Sequence, residues 1–305
     1  MTDLLSELVF DYTLRNVALG AAILGVVGGV LGSFAVLRRQ GLYGDALAHA
    51  TLPGVCVAFI LSGTKAPALL LAGAAISASL GALLILAVVG GTRIKQDAAL
   101  GIVLSVFFGF GTVLLTYIAG TGNSGQAGLD RFIFGQAATM VAGDVLAMGI
   151  LGGASLVLVA LLFKEFKLLS FDPDFAASAG YPVRRLNLLL TSLIVVAIVI
   201  GIQTVGVILM AAMLITPAAA ARQWTERLSA MIAVSGLFGA ASGVTGAVIS
   251  ATGPDLPTGP LVVLVATAIL LVSLAVGSSR GFLWERLRAA RNRREALREE
   301  SGART

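Results

Sequence analysis

Histidine and cysteine are almost missing from this chain: His49 and Cys56 are single occurrences in 305 residues. A lone cysteine excludes an internal disulfide and a thiolate cluster for soft metals. Charge is scarce as well. Asp, Glu, Lys and Arg make up 12% of the chain, about half of the ~25% typical of soluble domains. Apolar residues make up 57%, and many fall in runs of about twenty, the length that crosses a bilayer. This balance excludes an ordinary soluble domain and points to an all-α, polytopic transmembrane helix bundle. A Gly-x-x-x-x-Gly-Lys-Ser/Thr phosphate loop does not occur, so ATP hydrolysis is not expected of this chain. Asp3, Glu7 and Asp11 precede the first basic side chain, Arg15. That is the wrong sign for a signal-peptide n-region, and no cleavable leader is expected. The formal net charge of +5 follows membrane topology, and no nucleic-acid partner is expected.

Nine apolar spans are read: 17–37, 41–61, 66–89, 98–119, 145–163, 186–203, 204–221, 228–251 and 259–279. The stretch 186–221 holds either two short helices or one long helix and a partial span, so the count is eight to nine. The connections alternate in charge. Arg38 and Arg39, Arg93 and Lys95, Lys164 to Arg185, Arg222 and Arg227, and the tail from Arg280 hold 18 of the 21 Lys and Arg. The positive-inside rule places that set in the cytoplasm. Nine crossings then put the N-terminus outside. The expected organisation is an N-terminal segment 1–16, a transmembrane domain 17–279 and a basic cytoplasmic tail 280–305. The tail can form a helix on membrane lipid, with Phe282, Leu283 and Trp284 at the interface. Glycine is plentiful, at 37 residues. Gly25-xxx-Gly29, Gly28-xxx-Gly32 and Gly239-xxx-Gly243 fit the small-residue spacing of close helix packing in lipid.

The chemistry concentrates in the second span. Asp45 and His49 are four residues apart and so share one face of a helix. An ionised aspartate at the centre of a spanning helix costs roughly 2.5–3.5 kcal/mol on insertion scales, and a divalent cation would offset that cost. Carboxylate oxygen with imidazole nitrogen suits manganese, iron or zinc. Two ligands are too few for such an ion, and there is no second histidine. A two-fold homodimer would supply two Asp and two His, with two carboxylates balancing a 2+ charge. The residues also allow a plainer reading, an Asp–His hydrogen bond holding helices together. Pro53, four residues beyond His49, leaves the His49 carbonyl without its helical partner and is expected to kink the helix.

The stretch Arg38-Arg39-Gln40-Gly41-Leu42-Tyr43-Gly44-Asp45-Ala46-Leu47-Ala48-His49-Ala50-Thr51-Leu52-Pro53-Gly54 resembles the signature of manganese/zinc/iron-type permeases of ATP-binding-cassette importers. Ala48 stands where that signature usually has serine. Further matches are Gln126 to Ala138, similar to the external segment of the manganese branch; Phe171 to Gly180, similar to the cytoplasmic coupling segment; Val207 to Ala221; and Pro257-Thr258-Gly259-Pro260. The resemblance implies a type II importer-like permease fold of about 8–9 helices. It implies Asp45 and His49 as metal ligands on the translocation path. Asp172, Pro173, Asp174, Phe175, Ala176 and Gly180 would form the ATPase-coupling part of the segment 168–185. Asp172 can cap a helix begun by Pro173, and Gly180 can end it.

The implied partners are cytoplasmic ATP-binding-cassette ATPase subunits, an extracytoplasmic metal-binding protein and a second copy of the chain or a paralogous permease. The implied cargo is Mn2+, or Zn2+ or Fe2+, with no permanent cofactor. The competing reading is an ATP-independent secondary cation transporter or channel in which Asp45 and His49 relay protons. A non-transporting scaffold leaves the pair unexplained.

Overall fold

The computed structural model describes residues 12–64, 66–120, 140–251, 256–279 and 281–282. Among the described residues the regular elements are all helices. With no water in a bilayer core, backbone N–H and C=O groups must be satisfied within the segment, which a helix does alone. The helices are α1 Tyr12–Leu37, α2 Gly41–Ser62, α3 Pro67–Gly91, α4 Gln96–Gly120, α5 Ala142–Leu161, α6 Phe163–Phe171, α7 Pro173–Ser178, α8 Val183–Val205, α9 Val207–Arg222, α10 Leu228–Ala251 and α11 Thr258–Val276. Eight of them offer apolar stretches of 19–26 residues, about 28–39 Å at 1.5 Å per residue, enough for a ~30 Å core. The expected basic tail helix beyond Phe282 and most of the external connection 120–144 lie outside the described residues.

The ambiguous stretch 186–221 divides at Gly206, whose φ of 86° ends α8 and suits glycine alone. The following α9 has only 16 residues. Its start nevertheless lies beside the start of α11, where a Cβ on Gly259 would meet the Val205 carbonyl and Leu209. Its end lies beside the end of α11: Ser279 N donates to Gln223 O at 3.0 Å, and Trp224 Nε1 donates to Ser273 Oγ at 3.0 Å. The two helices therefore run side by side from end to end, and α9 is a shorter apolar helix beside the eight long ones among the described residues. Other end contacts agree with this sidedness. Ala142 N donates to the Tyr12 hydroxyl at 3.1 Å, joining the starts of α5 and α1. Arg38, just after α1, reaches Asn187 at the start of α8.

Buried α1 forms the centre of the bundle. Its glycine stripe meets α10 and α9 backbone to backbone. A Cβ on Gly25 would strike the Gly239 carbonyl, and one on Gly239 would strike that of Gly25. Gly29 faces Ser235, Gly243 faces Ala21, and Gly32 faces Leu214 in the same manner. At this seam Ser235 Oγ donates to Gly29 O across the helices at 2.7 Å. Lipid offers no hydrophobic drive for helix association, so such close approach and cross-helix bonding supply the cohesion. The expected Gly25/Gly29 and Gly239/Gly243 motifs are thus two halves of one crossing.

Gly239→Val should force these backbones apart and cost about 1–3 kcal/mol or more, lowering the thermal midpoint of the detergent-solubilised protein. Gly153→Ala, where an added Cβ meets open space, should hold or raise that midpoint because alanine favours helix.

Candidate functional site

Asp45 and His49 sit on the second and third turns of α2, a helix buried along much of its length against its neighbours. Gly54 lies against Gly73 of α3, Leu52 against Gly111 of α4, and Gly44 against Leu214 of α9. These contacts bury Tyr43, Gly44, Ala46, Leu47, Ala48 and Ala50. One stripe in this half of the helix is left open: Leu42, exposed, with Asp45 and His49, whose side chains are 35% and 16% exposed. The two predicted ligands therefore lie on the least covered face of this half of α2, with His49 the more enclosed of the two.

His49 Nε2 stands 3.4 Å from Asp45 Oδ1. That is longer than a good N–H···O bond of about 2.7–3.2 Å. It is close to the ~3.4 Å separating two donors that each lie about 2.0–2.1 Å from one tetrahedrally ligated ion. The imidazole edge packs on Phe108 of α4, with ring centroids 4.7 Å apart at 72°. His49 Nδ1 is buried and has no hydrogen-bond partner. Among the described residues, no three of His, Cys, Asp and Glu gather into a metal-binding group. Among the described residues, Asp45 and His49 thus have no third such side chain grouped with them. Pro53 lies inside α2, which continues to Ser62, and its missing N–H leaves the His49 carbonyl without an i+4 donor. Beyond it opens a groove of about 690 Å³ lined by Pro53, Gly54, Ile76 and Phe110 among others. Its lining is apolar apart from Ser62 and Ser77 and includes neither Asp45 nor His49, so it offers no charged ligand to an ion.

The segment 168–185 is built as its residue types require. Asp172 Oδ1 accepts from Phe175 N at 2.8 Å, capping α7, with Pro173 at the first helical position. Gly180 N donates to Ala177 O and Tyr181 N to Ala176 O, at 3.1 and 3.0 Å. With Gly180 at φ 84°, this is a Schellman ending. Ala176 is buried, whereas Phe175 is 58% exposed. Phe171 and Tyr181, before and after α7 in the chain, are exposed as well. The sequence alone does not single them out, although both flank the cap and stop positions. Phe108 has no comparable signal, because its contact with His49 joins separate helices.

The model of the ABC 3 transport family matches residues 10–277. The chain belongs to that family. It is a multi-pass protein of a bacterial inner membrane, in keeping with the spanning helices and the family. This ABC 3 chain is 51% identical over 301 residues to the zinc transport system membrane protein TroC of Treponema pallidum, covering 98% of the chain and 99% of TroC. It is 50% identical to the manganese transport system membrane protein MntC of Bacillus subtilis, covering 92% of the chain and 65% of that relative's length. Among solved structures, PsaBC from Streptococcus pneumoniae in complex with Fab matches with a TM-score of 0.80 and 33% identity, covering 92% of this chain and 98% of that one.

Asp172→Ala should remove the α7 cap, worth typically about 1 kcal/mol. Amide exchange at Phe175 is then expected to quicken about 5-fold, with exchange in α10 unchanged.

Proposed function

We propose that this ABC 3 permease is the membrane-spanning subunit of an ATP-driven importer of divalent transition-metal ions. The observation that carries the reading is the Asp45–His49 pair, side by side on the one open stripe in its half of an otherwise packed helix. Facing stripes from two copies would offer two carboxylates and two imidazoles to one cation on a two-fold axis, with charge balanced. The ion is cargo and must leave, so a site shared across an interface suits it better than a closed structural site. A homodimer is the simplest assembly, and a paralogous permease carrying the same stripe would serve as well.

The energy would come from separate ATPase chains in the cytoplasm. The capped helix α7, with Phe171, Phe175 and Tyr181 exposed around it, has the form of a short element that docks into a partner groove. Docking there would let ATP binding move the permease and open the path to one side at a time. A separate extracytoplasmic protein would deliver the metal. The likeness of 126–138 to the manganese branch favours Mn2+. Zn2+ stays a competing cargo, since TroC and MntC are about equally similar and differ in the metal that they name.

His49→Ala should abolish ATP-dependent Mn2+ uptake in proteoliposomes holding the whole complex, while size-exclusion behaviour stays that of the wild type. Uptake at the wild-type level would remove the site. Uptake by this chain alone, without ATPase or ATP, would favour a channel or secondary carrier instead. Phe175→Ala or Gly180→Val should weaken ATPase binding or its stimulation while metal affinity is kept; no change in either would remove the docking role. Competition between Mn2+ and Zn2+ in the same uptake assay identifies the preferred ion.

A further inference from the structure

We propose that Phe108 of α4 is a positioning residue for the metal site: its ring holds the His49 imidazole in the orientation that sets Nε2 beside Asp45. The inference rests on the reading of Asp45 and His49 given above. A metal-ligating histidine is usually oriented through its second ring nitrogen, which donates to a carboxylate or a carbonyl. His49 Nδ1 is buried and has no such bond among the described residues. Orientation of the ring then falls to packing. The Phe108 ring meets the imidazole edge to face, with centroids 4.7 Å apart at 72°, a geometry that aromatic pairs favour. In that arrangement His49 Nε2 stands 3.4 Å from Asp45 Oδ1.

The register of two helices brings this contact about. Three residues beyond His49 on α2 stands Leu52, and three beyond Phe108 on α4 stands Gly111, about 4.5 Å further along each axis. A Cβ on Gly111 would lie 2.9–3.0 Å from three atoms of the Leu52 side chain. The missing side chain thus lets α4 come close enough for the Phe108 ring to reach the imidazole. Cys56, one turn past Leu52, donates its thiol to Gly111 O at 3.8 Å. Leu52, Cys56 and Phe59 then share an apolar cluster with Ile118 of α4. These contacts join the two helices without Phe108, which is 41% exposed. The ring can therefore be changed without parting α2 from α4. Without it, His49 χ1 would be free to enter its other staggered wells. Only the competent fraction binds. One competent well in three lowers the apparent affinity about threefold per chain, and about tenfold for two copies on one ion.

The test uses the full chain in lipid nanodiscs, carrying 13C-histidine. His49 is the only histidine, so one imidazole signal reports on the site without metal. In the wild type the Phe108 ring current should displace that signal from the position of free histidine, and Phe108→Leu should return it there. Phe108→Leu should also weaken equilibrium Mn2+ binding about tenfold. In the complex with its ATPase and delivery protein it should raise the KM for uptake similarly, with kcat and the thermal midpoint near those of the wild type. Phe108→Tyr, which keeps the ring, should restore both signal and affinity. Mn2+ affinity within about twofold of wild type in Phe108→Leu would overturn the assignment. So would a loss of affinity accompanied by a lower midpoint, the mark of a packing role, or a Phe108→Tyr variant no better than Phe108→Leu. Failure of the underlying reading shows elsewhere, in a wild-type complex without ATP-dependent uptake or in full uptake by His49→Ala.

Discussion

Close backbone contact along α1 is the constraint on which the rest of this bundle depends. In lipid, burying another leucine gains little, because the acyl chains are as apolar as the side chains. Cohesion has to come from surfaces that approach nearer than lipid can. Gly25 against Gly239 and Gly29 against Ser235 provide this for α10, and Gly32 against Leu214 does so for α9. With α9 fixed there, Leu214 also meets Gly44 on α2. The position of the helix carrying Asp45 and His49 is therefore inherited from glycines on α1. The seam explains how a 16-residue α9 holds its place. It is gripped by neighbours on both sides, so its registration does not rest on matching the hydrocarbon thickness.

The same scarcity of polar groups gives each one inside the bundle a specific position. Ser33 donates to Gly29 O and Thr51 to Ala48 O, hydroxyls returned to their own helix, where they ask nothing of a partner. The Asp45–His49 pair is different: it keeps part of its surface open, at a spacing longer than a good hydrogen bond. A purely structural pair would be expected to close that distance and turn inward. The apolar groove beyond Pro53, lined by α2, α3 and α4, has no charged ligand for an ion. Chemistry, rather than concavity, distinguishes the pair.

How much can be read without coordinates follows the range of each interaction. The spanning helices, the small-residue motifs and the capped α7 depend on residues a few positions apart, and Asp172, Pro173 and Gly180 stand where local rules put them. The 186–221 stretch is ambiguous in sequence because only Gly206 interrupts a long apolar run. A single glycine does not reveal its φ in sequence. Phe108 beside His49, the pairing of Gly25 with Gly239, and Arg38 with Asn187 at a separation of 149 residues are illegible for one reason. Each depends on which helices become neighbours. A helix that is apolar all round has no polar face to mark which side turns inward.

A low count of ligands is itself consistent with transport. Four donors fixed within one helix bundle would keep their geometry whatever the bundle did, and an ion held that way would leave slowly. In the reading proposed above, two donors per chain completed by a second copy would form a site whose geometry belongs to the interface. Relative motion of the copies would change every donor distance across that interface at once, and with them the affinity. The sparse polar chemistry of α2 would then make the site sensitive to small displacements.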